Sequence, residues 1–415
     1  EALLADPGNA QFHLTDPRGA SDKSGRTFNN PYQYFFEQMH MDDAIYADES
    51  IYEYPMQQGG GNDGRPYSFG RPSSGGSKAA YPCKSYGQGR INPAYFYGVF
   101  DPNDMRRDVS ITMTGSNGKG VEKLIPFVPN SKAEGGGLTL NKWDENRQAN
   151  PWVAAQRKSG INGPYMRMSE VYLGYAEVCA ALGDVVTGKQ YLKTVRERSF
   201  PQGLANTDAF IASFGNDLVR AIIEERGFEY AGEGDRRWTL IRSGYLPEDI
   251  KRIKDMTKAM MDGLATKGYY EFENGNIISA YIWTKLVDAK TIYGHRLTAQ
   301  CPMDKVNDPV LYPGWRGQKD NWEEMGLNYG NSAPATNLAI KGLFEIVSEE
   351  EAASLESQGY AKVNWGIDLV DYRDEYDKYL FWDYDYVSAP IYLWPFTPNV
   401  MAAGGFTNGY GFKQE

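Results

Sequence analysis

Cysteine and histidine are scarce in this chain of 415 residues, with three of each. Cys83, Cys179 and Cys301 are widely spaced and form no C-x-x-C pair, which excludes a disulfide framework or a zinc site of the usual spacing. His13, His40 and His295 are too scattered to propose a metal cluster. No stretch of about eighteen apolar residues occurs, so nothing in the sequence reads as a bilayer-spanning helix. Basic runs are missing too: 43 basic residues face 54 acidic ones, a net charge of −11. That balance argues against nucleic acid and anionic membrane surfaces as partners. Gly59 to Gly64 spells G-x-G-x-x-G, but in a glycine- and proline-rich run without the strand-to-helix frame that a Rossmann cradle needs, and the G-x-x-x-x-G-K-[ST] of a P-loop does not occur.

What is plentiful is aromatic surface, 14% of residues with 30 Tyr and 9 Trp. Such rings pair a flat apolar face with a polar edge, suited to stacking on sugars or peptides, though tyrosines also pack between helices. The densest signal lies in residues 164–244. Met168, Tyr172, Tyr175, Ala176 and Cys179 predict the apolar stripe of a helix ended at Leu182-Gly183-Asp184. A second helix carries Tyr191, Leu192 and Val195 and stops near Pro201. Together they predict an antiparallel hairpin of tetratricopeptide type. A third helix is expected from Asn206-Thr207-Asp208 onward, its stripe running Phe210, Phe214, Leu218, Ala221 and Ile222 into Glu225 and Glu229.

Carboxylates on an apolar face are costly to bury unless paired. Glu225 and Glu229 could form an acid/base pair, or could fix helix register through ion pairs. The nearby Arg196, Arg198, Arg226, Arg236 and Arg242 favour the second reading, because arginines hold carboxylates ionised and unreactive.

These residues carry a resemblance to the SusD/RagB family, the outer-membrane nutrient-binding lipoproteins of Bacteroidetes. Arg167, Glu170, Tyr172, Leu173, Ala176 and Glu177 resemble its R-x-x-E-x-Y-L-x-x-A-E helix, and Arg196 and Arg198 its R-x-R element. Glu225, Arg226, Glu229, Glu233, Gly234, Arg236, Leu240 and Arg242 resemble its E-R-x-x-E-x-x-x-E-G-x-R-x-x-D-L-x-R segment. Thr239 stands where the family usually has Asp, which predicts the loss of one capping or ion-pair contact. Asp48 to Glu53 is similar to the family's N-x-E-S-I-x-E strand, and Phe100, Asp104 and Arg106 to its F-x-x-x-D-x-R element, read as a structural ion pair. Lys142-Trp143 resembles the family's K-[YW], and the ending around Leu393 to Tyr410 its terminal pattern, with departures at Phe396 and Thr397.

Gln57 to Gly89 is too rich in glycine and proline for a helix or long strand. It interleaves Tyr67, Phe69, Tyr81, Tyr86, Arg65, Arg71 and Arg90 with those glycines, as a binding loop would; a solvated surface loop is the alternative. In the family resembled, the ligand site is built partly from loops in this position. Tyr67, Arg71, Tyr81, Tyr86 and Arg90 are therefore the candidate ligand-binding residues. Trp152 could line a pocket or pack. Val109 to Met113 alternates as a strand, Gly115 to Gly120 should turn it, and Leu124 to Val128 could pair with it. Glu248 to Leu264, Ala333 to Leu343 and Ser348 to Gln358 read as helices, and Tyr269 to Gly330 as an irregular aromatic insertion. Asp304, Asn307 and Asp308 are oxygen donors of the kind calcium takes, but D-x-[DN]-x-[DN]-G is missing. Asp383 and Asp385, two apart on a strand, would suit a glycosidase only with the right separation and a cleft.

The expected fold is mainly α: tetratricopeptide-like helical hairpins packed with a loop-rich region and a few short strands, as in SusD. A single domain over 1–415 would comprise a loop-rich region at 31–163, a helical core at 164–244 and a variable insertion and C-terminal region at 245–415. The resemblance implies a non-catalytic protein that binds oligosaccharide and delivers it to a SusC-type TonB-dependent transporter at the outer face of the outer membrane. It implies no cofactor or metal, and membrane contact only through a lipid anchor outside this chain. It also implies a longer protein, with further helical repeats before the region matched. A peptide-binding relative, a glycoside hydrolase using Asp383, Asp385 or Glu225, and a tetratricopeptide adaptor are the alternatives. The last predicts a tandem 34-residue period, and only one such hairpin is visible.

Overall fold

The computed structural model describes residues 49–56, 69–72, 87–116, 122–129, 136–143, 161–288, 336–380, 396–405 and 407. Before residue 49 it describes residues 4, 14, 20–21, 27–28, 32 and 35–36. Among these are twelve helices and thirteen short strands, a mainly α architecture as expected.

The first half is built from small antiparallel pairs. Strand β1 (Ala20–Ser21) pairs with β2 (Thr27–Phe28). Strand β3 (Ser50–Tyr54) waits for a partner more than a hundred residues away. Helix α1 (Pro93–Gly98) starts where the Asn92 side chain accepts the Ala94 N–H at 2.8 Å. Helix α2 (Arg106–Ser110) runs straight into β4 (Ile111–Thr112), so Val109 and Ser110, expected in a strand, close a helix instead. The hydrogen bond that makes the difference runs from Ile111 N–H back to Arg107 C=O. Strands β5 (Thr114–Ser116) and β6 (Glu122–Leu124) form a hairpin, with Gly115 inside the strand rather than in the turn. Strand β7 (Thr139–Leu140) pairs with β4, and β8 (Gly163–Arg167) with β3.

Strand β8 feeds directly into α3 (Met168–Ala181), which turns at Gly183 (φ +88°) into α4 (Val185–Glu197). Asp184 caps α4 by accepting the Thr187 N–H. The hairpin has the expected form, but Leu173, Ala176, Leu192 and Val195, not the tyrosines, are fully buried in it. Tyr172 and Tyr175 are half-buried and meet Tyr191 edge-on across it, at 5.4 and 5.0 Å.

The expected third helix is two: α5 (Thr207–Ala212) and α6 (Leu218–Glu229). Gly215 and Asn216, both at φ +65°, take the left-handed conformation that no continuous helix accepts. Asp217 then restarts the chain by accepting the Arg220 N–H at 3.0 Å. Eleven of the twelve residues of α6 are buried, so it has no solvent face and the rest is packed around it. Its Ala221 and Ile222 join a cluster with Leu173, Leu192 and Val195 of the hairpin. Ile223 meets Leu240 of α7 (Asp235–Ser243) and Leu246 of α8 (Leu246–Lys267). Phe228 belongs to the largest cluster, with Phe96, Tyr97, Met260 and Leu264.

Of the region expected to be irregular, residues 269–288 are described and form strands. Strands β9 (Tyr269–Glu271) and β10 (Ile277–Ser279) form a hairpin after α8. Strand β11 (Tyr281–Asp288) is the centre of a three-stranded antiparallel sheet, between β12 (Thr336–Lys341) and β13 (Ala361–Asn364). The helix expected over Ala333 to Leu343 is thus a strand: Leu338, Ala339 and Ile340 are buried in succession against the core, a run that fits a strand pressed on both faces. Helices α9 (Glu349–Ser357), α10 (Gly366–Asp371), α11 (Arg373–Leu380) and α12 (Pro398–Gly404) complete the order. Trp365, fully buried just before α10, donates its ring N–H to the Tyr97 hydroxyl at 2.8 Å and so ties the sheet to α1.

Candidate functional site

A dense set of ion pairs among the described residues lies under the surface. Glu225 and Glu229, one turn apart on α6, are both 0% exposed. Arg106 reaches Glu225 at 2.6 Å and Glu229 at 3.2 Å, while its other edge grips Asp104 at 2.6 Å. Arg196 takes the second oxygen of Glu225 at 2.8 Å. Glu229 also receives Arg167 at 2.8 Å and Arg198 at 2.7 Å, and both arginines share Glu49. Lys142 and Arg167 pair with Glu233 at 2.6 and 2.9 Å. Among the described residues five carboxylates (Glu49, Asp104, Glu225, Glu229, Glu233) thus meet five cations (Arg106, Lys142, Arg167, Arg196, Arg198), so their charges balance.

Burial alone would raise the Glu229 carboxyl, but Arg198, Arg167 and Arg106 outweigh it and hold the group well below the usual carboxylate range. Glu49 is likewise held low, by Arg198 and Arg167 against burial. Burial lowers the Lys142 ammonium to about 8, although Glu233 pulls the other way. Every carboxylate oxygen of Glu225 and Glu229 is occupied by a guanidinium and none meets solvent, so the pair is unsuited to proton transfer. The paired reading of these two glutamates holds. Of its five candidate arginines, Arg196 and Arg198 are partners. Arg226 instead pairs with Asp235 at 2.5 Å, Arg236 with Glu224 and Asp249 at 2.8 and 2.9 Å, and Arg242 with Glu177. At Thr239 the hydroxyl donates to Asp235 at 2.9 Å and accepts from Arg226 at 3.3 Å, hydrogen bonds in place of any ion pair.

Of the candidate ligand-binding residues, Arg71 and Arg90 are described, whereas Tyr67, Tyr81 and Tyr86 lie outside the described residues. Arg71 is 2% exposed and donates from Nη2 to Thr114 Oγ1 at 3.2 Å; its N–H donates to Trp143 C=O at 2.8 Å. Its side chain is therefore buried rather than presented to solvent. Arg90 is half-buried beside Gly136, and burial lowers its guanidinium from the ordinary value. Phe69 is 49% exposed, and a Cβ added to Gly89 would lie 3.5 Å from its ring. Trp152, Asp304, Asn307, Asp308, Asp383 and Asp385 also fall outside the described residues. Among those described, no group of three or more His, Cys, Asp or Glu side chains could hold a metal ion.

Three rings escaped the sequence reading. Tyr52, Tyr54 and Tyr165 are 55%, 58% and 70% exposed on the outer side of the β3–β8 pair, and Tyr52 meets Tyr165 edge-on at 5.7 Å. The signal was present in the alternation of β3, which places Tyr52 and Tyr54 on the face opposite buried Glu53. A second surface feature is a groove of about 730 Å³ along α4, walled by Val186, Lys189, Lys193 and Asp208 and lacking any aromatic ring.

The aromatic surface and the arginine–glutamate cluster sit in a chain whose residues 14–395 match the SusD family as a whole. The chain belongs to the SusD family. SusD-like protein P25 of Formosa agariphila is 28% identical over 160 residues, 38% of this chain and 26% of that one. A SusD homologue of Bacteroides thetaiotaomicron is 19% identical with a TM-score of 0.39, covering 54% of this chain and 47% of its own. Surface glycan-binding protein A of the same organism, solved with laminarihexaose, is 18% identical with a TM-score of 0.37, covering 60% of this chain and 49% of its own. This SusD-family chain therefore spans about a quarter of its curated relative and about half of these solved ones.

Proposed function

We propose that the protein binds oligosaccharide without chemical turnover and delivers it to a SusC-type TonB-dependent transporter at the outer face of the bacterial outer membrane. Its own hold on the membrane would be a lipid anchor; no described helix is long and apolar enough to cross a bilayer. The observation that carries the reading is the set of exposed rings next to Gln57–Gly89. Tyr52 and Tyr54 immediately precede the stretch, and Phe69 lies within it, half exposed. Leaving such aromatic faces in water forfeits burial free energy that a folded chain normally recovers. A pyranose ring offers them a partner through its C–H face, with tyrosine hydroxyls and arginine N–H groups reading its hydroxyls. In this reading Tyr67, Tyr81, Tyr86 and Arg90 are further ligand contacts, while buried Arg71 fixes the chain to Trp143 through its N–H. Family membership supports the same assignment, and the occupied state of Glu225 and Glu229 supports a non-catalytic role.

The test is affinity electrophoresis and calorimetry against starch, laminarin, xylan, mannan and pectin, with casein peptides as the competing class. Alanine at Tyr67, Tyr81 and Tyr86 together should abolish polysaccharide binding. Unchanged affinity in that variant would remove the loop as the site. Preference for peptides would move the substrate class, and release of reducing sugar at high protein concentration would overturn the non-catalytic reading.

A further inference from the structure

Residues 136–143 form a platform under both described flanks of the glycine-rich stretch. On one side Leu140 N–H donates to Gly89 C=O at 3.2 Å, and Ile91 N–H to Leu138 C=O at 3.0 Å. Thr139 Oγ1 donates to the Gly87 and Gly89 carbonyls at 3.2 and 3.1 Å. On the other side Trp143 C=O accepts the Arg71 N–H. Lys142, between these contacts, is the only charged residue of the platform and is 0% exposed. Its ammonium donates to Glu233 Oε1 at 2.6 Å and to the Glu229 C=O at 3.2 Å, with the Tyr32 and Phe36 rings 5.0 and 4.9 Å away.

Arg167 makes both of the same connections independently, to Glu233 at 2.9 and 3.0 Å and to the Glu229 C=O at 3.1 Å. Glu233 and the Glu229 C=O therefore keep a donor without Lys142. What the charge cluster would lose is its ion-pair tie to the platform; the Asn141 N–H to Ser110 C=O bond, from the platform to α2, would remain. The geometry points to Lys142 as a positioning residue that sets the height of the platform, and with it Phe69 and Arg90, against the C-terminal end of α6. The assignment rests on the reading that this surface binds the ligand.

The experiment compares Lys142→Met and Lys142→Arg with the unchanged full chain, by amide hydrogen exchange and by calorimetry with whichever panel polysaccharide it binds most tightly. In Lys142→Met the Arg71, Leu140 and Ile91 amides should exchange at least ~10-fold faster while those of α6 stay as slow as before. The dissociation constant should rise about tenfold, and Lys142→Arg should restore both, which a general loss of folded protein would not do. Unchanged exchange at the three amides overturns the role of Lys142, whatever the affinity. Faster exchange with unchanged affinity overturns the link to binding; if the triple tyrosine variant still loses binding, the site itself stands. Should Lys142→Met fail to fold, Glu233→Gln weakens the same tie through its acceptor, and equal exchange there would also overturn the proposal.

Discussion

Arg106 and Glu225, 119 residues apart in the chain, meet at 2.6 Å with both side chains fully buried. The contact joins α2 to α6 at the point where Arg196 arrives from α4. Removing either charge leaves the others in a low-dielectric interior with no water to replace it.

Glu225→Gln keeps the shape of the side chain and strands Arg106 and Arg196 beside a neutral amide. Breaking a buried pair in this way costs about 3–5 kcal/mol, and Arg106→Met should cost a similar amount by stranding Asp104 and Glu225. Urea unfolding gives the number directly. A loss below about 1 kcal/mol, the range of exposed pairs, would mean that the cluster is solvated in solution.

Acid should act on the same cluster. Glu229 and Glu49 titrate below their ordinary 4.5 in the folded chain, as does Glu224, where Arg236 and Arg252 outweigh burial. A depressed folded-state value means that the unfolded chain takes up protons first. The stabilisation is complete above pH 4.5 and is lost progressively as the pH falls below it. Urea midpoints at neutral pH, pH 4.5 and about pH 3 should therefore be close for the first two and much lower for the third. A midpoint that holds steady down to about pH 3 would contradict the assignment.

The helical hairpin, the long helix α8 and the pairing of Glu225 and Glu229 could all be read from local spacing, because a helix repeats its environment every three or four residues. The identity of the partners was harder to read. Arg106 and Arg167 reach Glu229 across 123 and 62 residues, and no local pattern carries a distance of that kind. Strand β12 was misread for a related reason. Whether the buried run Leu338-Ala339-Ile340 is helix or strand is decided by β11 alongside it, an interaction made by residues about fifty positions earlier. Tyr52 and Tyr54 were readable as a strand face but not as an exposed one, since exposure depends on what else packs there.

Thr239 offers a smaller test. Its hydroxyl bridges Asp235 and Arg226, so Thr239→Val removes two hydrogen bonds to charged groups while leaving their ion pair in place. A loss of about 1–3 kcal/mol is expected in thermal or urea unfolding. No change would mean that the ion pair alone satisfies both groups.

At the surface, Phe69→Ala should weaken polysaccharide binding by about 1 kcal/mol, roughly fivefold, if the ring stacks on a sugar. Thermal stability should change little, because the ring is half exposed already. Val186→Ser, in the groove along α4, should leave binding unchanged. Reversed effects, with loss of affinity at Val186 and none at Phe69, would relocate the site to that groove.

The cluster around α6 also limits how the chain can be divided. Its members come from residue 49, residues 104–106, residue 142, residue 167, residues 196–198 and residues 225–233. Any cut between residues 49 and 233 separates acids from the bases that neutralise them. A fragment ending at residue 200 would hold all five cations but only Glu49 and Asp104 of the five carboxylates, an uncompensated excess at its centre. Truncation for expression, domain swapping or circular permutation inside that interval would each break the cluster. Within it, a piece of this protein should not fold alone.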